Sequence, residues 1–178
     1  MAVRKCSGVK LYSNENLDVV SYPVTIKGKR RIFLKINDRP VAVILPFIRP
    51  GVLILERQYR HALRKNLYEI PAGHADIGEP LKSAAARELK EETGFTAKRL
   101  TRLMELNEAP GIINCTAVVY VAEGLVRGKR ALDEEEKIST MEVTLQKALS
   151  MIMSGKITDA KTIAAVLTYN ERAKRKSY

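Results

Sequence analysis

The sequence predicts an α/β (α+β) fold in which a mixed sheet lies between helical layers, with a small antiparallel β meander ahead of it. Three observations predict it. Strand-like runs rich in Val, Ile and Leu, punctuated by Gly, Pro, Asn and Asp, fill most of residues 17–58. An alanine-rich segment bounded by Pro80 and Gly94 lies near the middle. Two amphipathic segments close the chain. With 178 residues and no repeat or low-complexity linker, one main domain with a small appendage is expected: residues 1–38 as the meander, 39–178 as the larger unit.

The elements follow in order. Residues 17–26 and 30–36 read as strands joined across Lys27-Gly28-Lys29, and Asn37-Asp38 turns the chain onward. Residues 41–47 and 52–58 form a second hairpin across Arg49-Pro50-Gly51. A short strand at Tyr68 then runs into a Gly/Pro-punctuated loop that ends at Glu79. Pro80 suits a first helical position, where its missing N–H has no intrahelical partner, and Gly94 suits a left-handed stop. Residues 114–122 and 138–143 read as further strands, 144–154 as a helix stopped by Gly155, and 159–174 as a longer helix with Ile163, Val166, Leu167 and Asn170 on one side.

The central helix carries a chemical signal. Glu88, Glu91 and Glu92 are spaced i, i+3, i+4, so three carboxylates share one face and repel one another. Basic partners or bound divalent cations would relieve that repulsion. Arg87 can pair with Glu91 at i+4, which leaves Glu88 and Glu92. A few hard oxygen ligands with room for water and phosphate suit Mg2+. A plain solvated acidic face is the competing reading. Gly73, Gly94 and Glu79, one turn before the alanines, weigh against it. Ala85, Ala86 and Leu89 are expected to press the helix on the sheet. The loop entering the helix N-terminus can offer backbone groups to phosphate or metal.

Net charge is +11, with basic clusters at 27–31, 57–65 and 172–176. With 6% aromatics and no RNA-binding signature, this reads as attraction of small anions more than as nucleic-acid recognition. Cys6 and Cys115 show neither a disulfide framework nor zinc spacing. No apolar run approaches a membrane span, and no leader-like segment is seen, so a soluble cytoplasmic protein is expected. His61 and His74 have no metal-spaced partner and read as surface or loop histidines.

Residues 73–95 fit G-x5-E-x7-R-E-U-x-E-E-x-G-U, with U a bulky apolar residue, at Gly73, Glu79, Arg87, Glu88, Leu89, Glu91, Glu92, Gly94 and Phe95. A chance match in a chain this long is on the order of one in a million. The pattern resembles the Nudix box, which implies a Nudix-type α/β/α sandwich and hydrolysis of a nucleoside diphosphate linked to a further moiety. Within that family the chain looks most like the ADP-ribose pyrophosphatases, through Gln58-Tyr59-Arg60, the stretch from Tyr68 to Gly73, Pro110-Gly111, Asp133-Glu134-Glu135-Glu136 and the stretch from Gly155 to Thr162. It departs from them at Ala109-Pro110-Gly111-Ile112, where Ser-Pro-Gly-Phe is usual.

The resemblance implies Mg2+ (with Mn2+ or another divalent ion able to substitute) held by Glu88, Glu92, the Ala72 carbonyl and Glu136. Glu91 assists, Arg87 is its structural partner, and Glu134 is the candidate base. Substrate-binding candidates are Arg60, Glu69, Gly111 and Tyr22. For Arg60, a phosphate clamp and an ordinary surface arginine are evenly matched. Tyr22 or Phe33 could stack on adenine, though core packing is favoured for both. ADP-ribose would yield AMP and ribose 5-phosphate. Nucleoside diphosphate sugars, NADH, dinucleoside polyphosphates, RNA 5′ ends or non-catalytic nucleotide sensing remain alternatives. A homodimer through the N-terminal strands is also implied.

Overall fold

A computed structural model of the chain describes residues 8–132 and 137–175. The N-terminal sheet contains β1 (Val9–Ser13), β2 (Leu17–Ile26), β3 (Lys29–Asp38) and β9 (Ile113–Asn114), in the order β1-β2-β3-β9. Lys27 and Gly28 have φ of 50° and 75° and Ile26 faces Lys29, so two left-handed residues make the hairpin turn. This loop is shorter than the expected Lys27-Gly28-Lys29. β9 joins β3 in parallel, so a segment from late in the chain completes the meander.

The larger sheet is mixed. It holds β4 (Val41–Arg49), β5 (Val52–Arg60), β8 (Phe95–Leu106), β10 (Ala117–Arg127) and β11 (Ile138–Thr144) in the order β11-β5-β4-β10-β8. The short β6 (Lys65–Glu69) pairs with β5, and β7 (Ala72–His74) with β4. β4 and β10 run parallel, whereas β8–β10, β4–β5 and β5–β11 are antiparallel. Ala42, Val43, Ile44 and Leu45 are all fully buried, as befits a central strand covered on both faces.

Alternate residues of β4 and β10 feed two cores. Ala42, Ile44, Val118, Tyr120 and Ala122 meet Ala84, Ala85 and Leu89 of α1 (Leu81–Thr93). Val43, Leu45, Val119 and Val121 pack on the other face with Ala148 and Met151 of α2 (Leu145–Met153) and Ala165 and Val166 of α3 (Ala160–Arg175). The result is the expected helix–sheet–helix sandwich. Several details differ from expectation, among them that β10 begins at Ala117 rather than 114 and runs to Arg127. Pro80 sits just before α1 rather than in it. Ala84, not the exposed Ala86, joins Ala85 against the sheet. α3 buries Thr162, Ala165 and Val166, while Leu167 is 38% exposed. β8, a full twelve-residue strand, had no counterpart in the sequence reading. Among the described residues no helix is long and apolar enough to cross a membrane.

Candidate active site

Arg87 organises the site from its place on α1. Its Nε and Nη2 donate to the two carboxylate oxygens of Glu79 at 3.2 and 2.9 Å. Nη1 donates to Glu88 at 2.8 Å and to Glu91 at 3.0 Å, and Nη2 also reaches the His74 carbonyl at 2.9 Å. The Glu79 bond foremost, with Glu88 and Glu91 adding to it against burial, holds the guanidinium well above its ordinary pKa. Glu79 is held below the usual carboxylate range, first by Arg87 and then by the Asp76 N–H. One arginine thus answers the repulsion between the box carboxylates and ties helix, loop and β7 together.

The glycines do specific work. A Cβ at Gly73 would overlap the Glu88 carboxyl, so only glycine lets that carboxylate lie against the loop. Gly94, at φ 77°, caps α1 by donating to the Lys90 carbonyl. Arg130 finishes that end: its Nε donates to the Glu92 carbonyl and its Nη2 to the Ile138 carbonyl at 3.1 Å.

A cavity of about 470 Å³ opens beside this helix face, lined by Ala72, Gly73, Arg87, Glu88 and Glu91. Arg60 lines it too, while a bidentate pair to Glu69 at 2.8 and 2.6 Å fixes its guanidinium. Glu69 is 2% exposed and does not reach the cavity wall, so it acts on Arg60 rather than on the cavity. Glu92, also 2% exposed, lies behind the wall, where one oxygen accepts the Ala72 N–H at 3.0 Å. Tyr22 and Gly111 line a second depression, of about 370 Å³, that shares Ile113 with the first. Lys35 Nζ stands 5.8 Å from the Tyr22 ring centre. The core-packing expectation for Tyr22 and Phe33 is not met: their rings pair at 6.1 Å outside both cores, with Phe33 39% exposed. Glu134 and Glu136 lie outside the described residues.

The cavity also holds groups the sequence reading did not select. Arg39 bonds Asn16 at 2.7 Å. Lys161 meets Asp159 at 3.0 Å and Glu108 at 3.8 Å; burial opposes its charge, but Asp159 and Glu108, with Glu69 adding, outweigh burial and raise its pKa. Cys115 donates to the Arg39 carbonyl at 3.1 Å, and burial, with Asp38 and Glu108 adding, pushes its thiol up to about 11. His74 pairs with Asp38 at 3.1 Å on the rim, whereas His61 sits in a surface turn against Tyr59.

The NUDIX domain family matches residues 38–166. An ADP-ribose pyrophosphatase of Bacillus subtilis is 36% identical over 88% of this chain and 86% of its own length. A protein described as a methanol dehydrogenase activator, from Bacillus methanolicus, is 34% identical over 84% and 80%. A crystal structure of an ADP compounds hydrolase superposes with a TM-score of 0.84 at 26% identity, covering 99% of this chain and 98% of that one. The chain belongs to the NUDIX domain family and is a Nudix pyrophosphohydrolase.

Proposed function

We propose that this enzyme uses Mg2+ to hydrolyse the diphosphate of ADP-ribose to AMP and ribose 5-phosphate. The observation that carries the reading is one cavity that joins the box carboxylates Glu88 and Glu91 to the cations Arg39, Arg60, Arg87 and Lys161. Carboxylates alone would repel a diphosphate. Cations alone would bind it without supplying hard oxygen ligands for a divalent ion.

The residues fit such an ion. Among the described residues no three His, Cys, Asp or Glu side chains form a ready-made metal cage. Mg2+, however, keeps several waters and takes few protein ligands. The glycine-sized gap at Gly73, filled by the Glu88 carboxyl, brings that oxygen donor beside Ala72 and Glu92. The Ala72 carbonyl, Glu88 and Glu92 would hold the ion, with Glu91 assisting. When bound, it neutralises diphosphate oxygens.

The chain's own groups do the rest. Arg60, locked by Glu69, presents a pre-set guanidinium to a phosphate. Tyr22 and Gly111 border the nucleoside end. Water adds to one phosphorus, the bond from that phosphorus to the bridging oxygen breaks, and two monophosphates leave. We keep Glu134 as the water-activating carboxylate and Glu136 as a further ligand. A homodimer through the N-terminal sheet and a cytoplasmic setting complete the proposal.

The test is product release from ADP-ribose, GDP-mannose, NADH, a dinucleoside polyphosphate and 5′-triphosphorylated RNA, with Mg2+ and with chelator. AMP and ribose 5-phosphate from ADP-ribose, metal-dependent and fastest in the panel, are expected. A faster member of the panel overturns the substrate assignment; binding of ADP-ribose without any turnover overturns catalysis.

A further inference from the structure

The strip Glu69-Ile70-Pro71-Ala72 connects β6 to β7, and it is held on every side. Arg60 grips the Glu69 side chain, the Ile44 N–H donates to the Pro71 carbonyl at 2.8 Å, and the Ala72 N–H donates to Glu92. The Ile70 N–H has a partner of another kind. It donates to the Thr162 hydroxyl at 2.9 Å, across 92 residues of chain, where Ile70 is 1% exposed and Thr162 fully buried.

Thr162 is the third residue of α3, and Asp159 caps that helix. Asp159 Oδ2 accepts the Thr162 N–H at 2.8 Å, the ordinary capping bond. The same oxygen also accepts the Thr162 hydroxyl proton, at 2.7 Å. A cap needs only the first bond. The second gives the hydroxyl a direction: its hydrogen is committed to Asp159, so its lone pair faces the Ile70 N–H. A carboxylate acceptor also strengthens the relay in a buried setting.

We propose that Thr162 is a positioning residue for the metal cradle. Its hydroxyl, oriented by Asp159, fixes the height of the strip from the α3 side while Glu92 fixes it from the α1 side. The Ala72 carbonyl is thereby held between the two helical layers. This rests on the reading of Ala72, Glu88 and Glu92 as metal ligands given above.

The test uses the full chain with Thr162→Val, which removes the hydroxyl at nearly constant shape, and Thr162→Ser, which keeps it. Mn2+ is titrated into each protein without nucleotide and the free ion is read by electron paramagnetic resonance. Steady-state turnover on the fastest panel substrate and thermal melts accompany it. Thr162→Val is expected to weaken Mn2+ binding and lower kcat by roughly tenfold, the low end of the effect of losing a direct partner of a ligand, because Thr162 acts on Ala72 through Ile70. KM should stay within about threefold, and Thr162→Ser should restore both quantities. Wild-type Mn2+ affinity in Thr162→Val, with only the melting temperature reduced, overturns the proposal and leaves a helix cap. Thr162→Ala, which leaves space beside the Ile70 amide instead of a methyl pressed on it, gives the same comparison if the valine variant does not fold. Because the titration contains no nucleotide, a wrong substrate assignment does not change what it measures.

Discussion

Glu92 separates two duties that one carboxylate can hide. It accepts the Ala72 N–H, and in the proposed function it supplies negative charge to a cation. Glutamine keeps an oxygen for the N–H but loses the charge. Glu92→Gln should therefore melt within a few degrees of wild type while turnover drops at least ~100-fold; turnover near wild type would remove Glu92 from the ligand set. Gly73 is tested from the opposite side. Gly73→Ala drives a methyl into the Glu88 carboxyl, which must shift from the place where it accepts the 2.8 Å bond from Arg87. Turnover should fall by about tenfold or more, on the scale of losing a partner that orients a ligand, and unchanged kinetics would mean that the Glu88 position is not critical. Cys115 makes a chemical prediction. With its thiol at about 11, it is almost wholly protonated at pH 7 despite lining the cavity. Iodoacetamide labelling followed by peptide mass spectrometry should show slow reaction at pH 7, rising close to tenfold per pH unit through pH 10. Fast labelling at pH 7 contradicts the half-buried, acid-flanked environment. At this scale the box residues were legible because Gly73, Glu79, Arg87 and the glutamates lie within one continuous stretch. Arg39 and Lys161 were not: the start of β4 and the start of α3 meet only once the sheet has formed.

The loop and helix α1 are joined mainly through Glu79 and Arg87, and that union has a pH signature. Glu79 carries a depressed pKa because Arg87, and secondarily the Asp76 N–H, stabilise its charged form. A depressed carboxyl contributes stability above its unfolded pKa, about 4.3, and loses it as pH falls through the folded value. The melting-temperature gap between wild type and Glu79→Gln should be fully open at pH 6–7 and close as pH drops below about 4. A gap that stays constant across that window would mean that charge is not what joins loop to helix. Other elements show what a sequence can conceal. β4 and β5 were readable because their apolar runs are bounded by turn residues. β8 was not, since Phe95–Leu106 carries Lys98, Arg99, Arg102 and Glu105 and pairs with β10 at one end of the sheet order. Edge strands carry charge to discourage further pairing, and Ala, Lys, Arg, Leu, Met and Glu are also good helix formers. Composition and position therefore pointed away from a strand. β1 escaped for a related reason: all five of its residues are exposed, so no buried face imposes alternation.

At the scale of the molecule, the N-terminal sheet has two unlike faces. Cross-strand pairing aligns Val9 with Ser21 and Leu34, and Pro23 with Ile32, so Val9, Leu34 and Ile32 share one side. They are 64%, 48% and 64% exposed. Tyr22 and Lys35, which line the second depression, alternate onto the opposite side. One face thus borders the proposed nucleoside end, and the other presents contiguous apolar surface of the kind that marks an interface. A second copy of the chain offers the same patch, and self-complementary burial across a two-fold axis is the commonest way to cover it. Size-exclusion chromatography with light scattering should give a dimer at micromolar concentration. Leu34→Glu places a charge in the middle of the patch while leaving both hydrophobic cores untouched, since Leu34 belongs to neither. The variant should therefore elute as a monomer with a near-native melting temperature. A monomeric wild type removes the dimer from the proposal. A dimeric Leu34→Glu moves the interface elsewhere and leaves the apolar face of the meander without its partner.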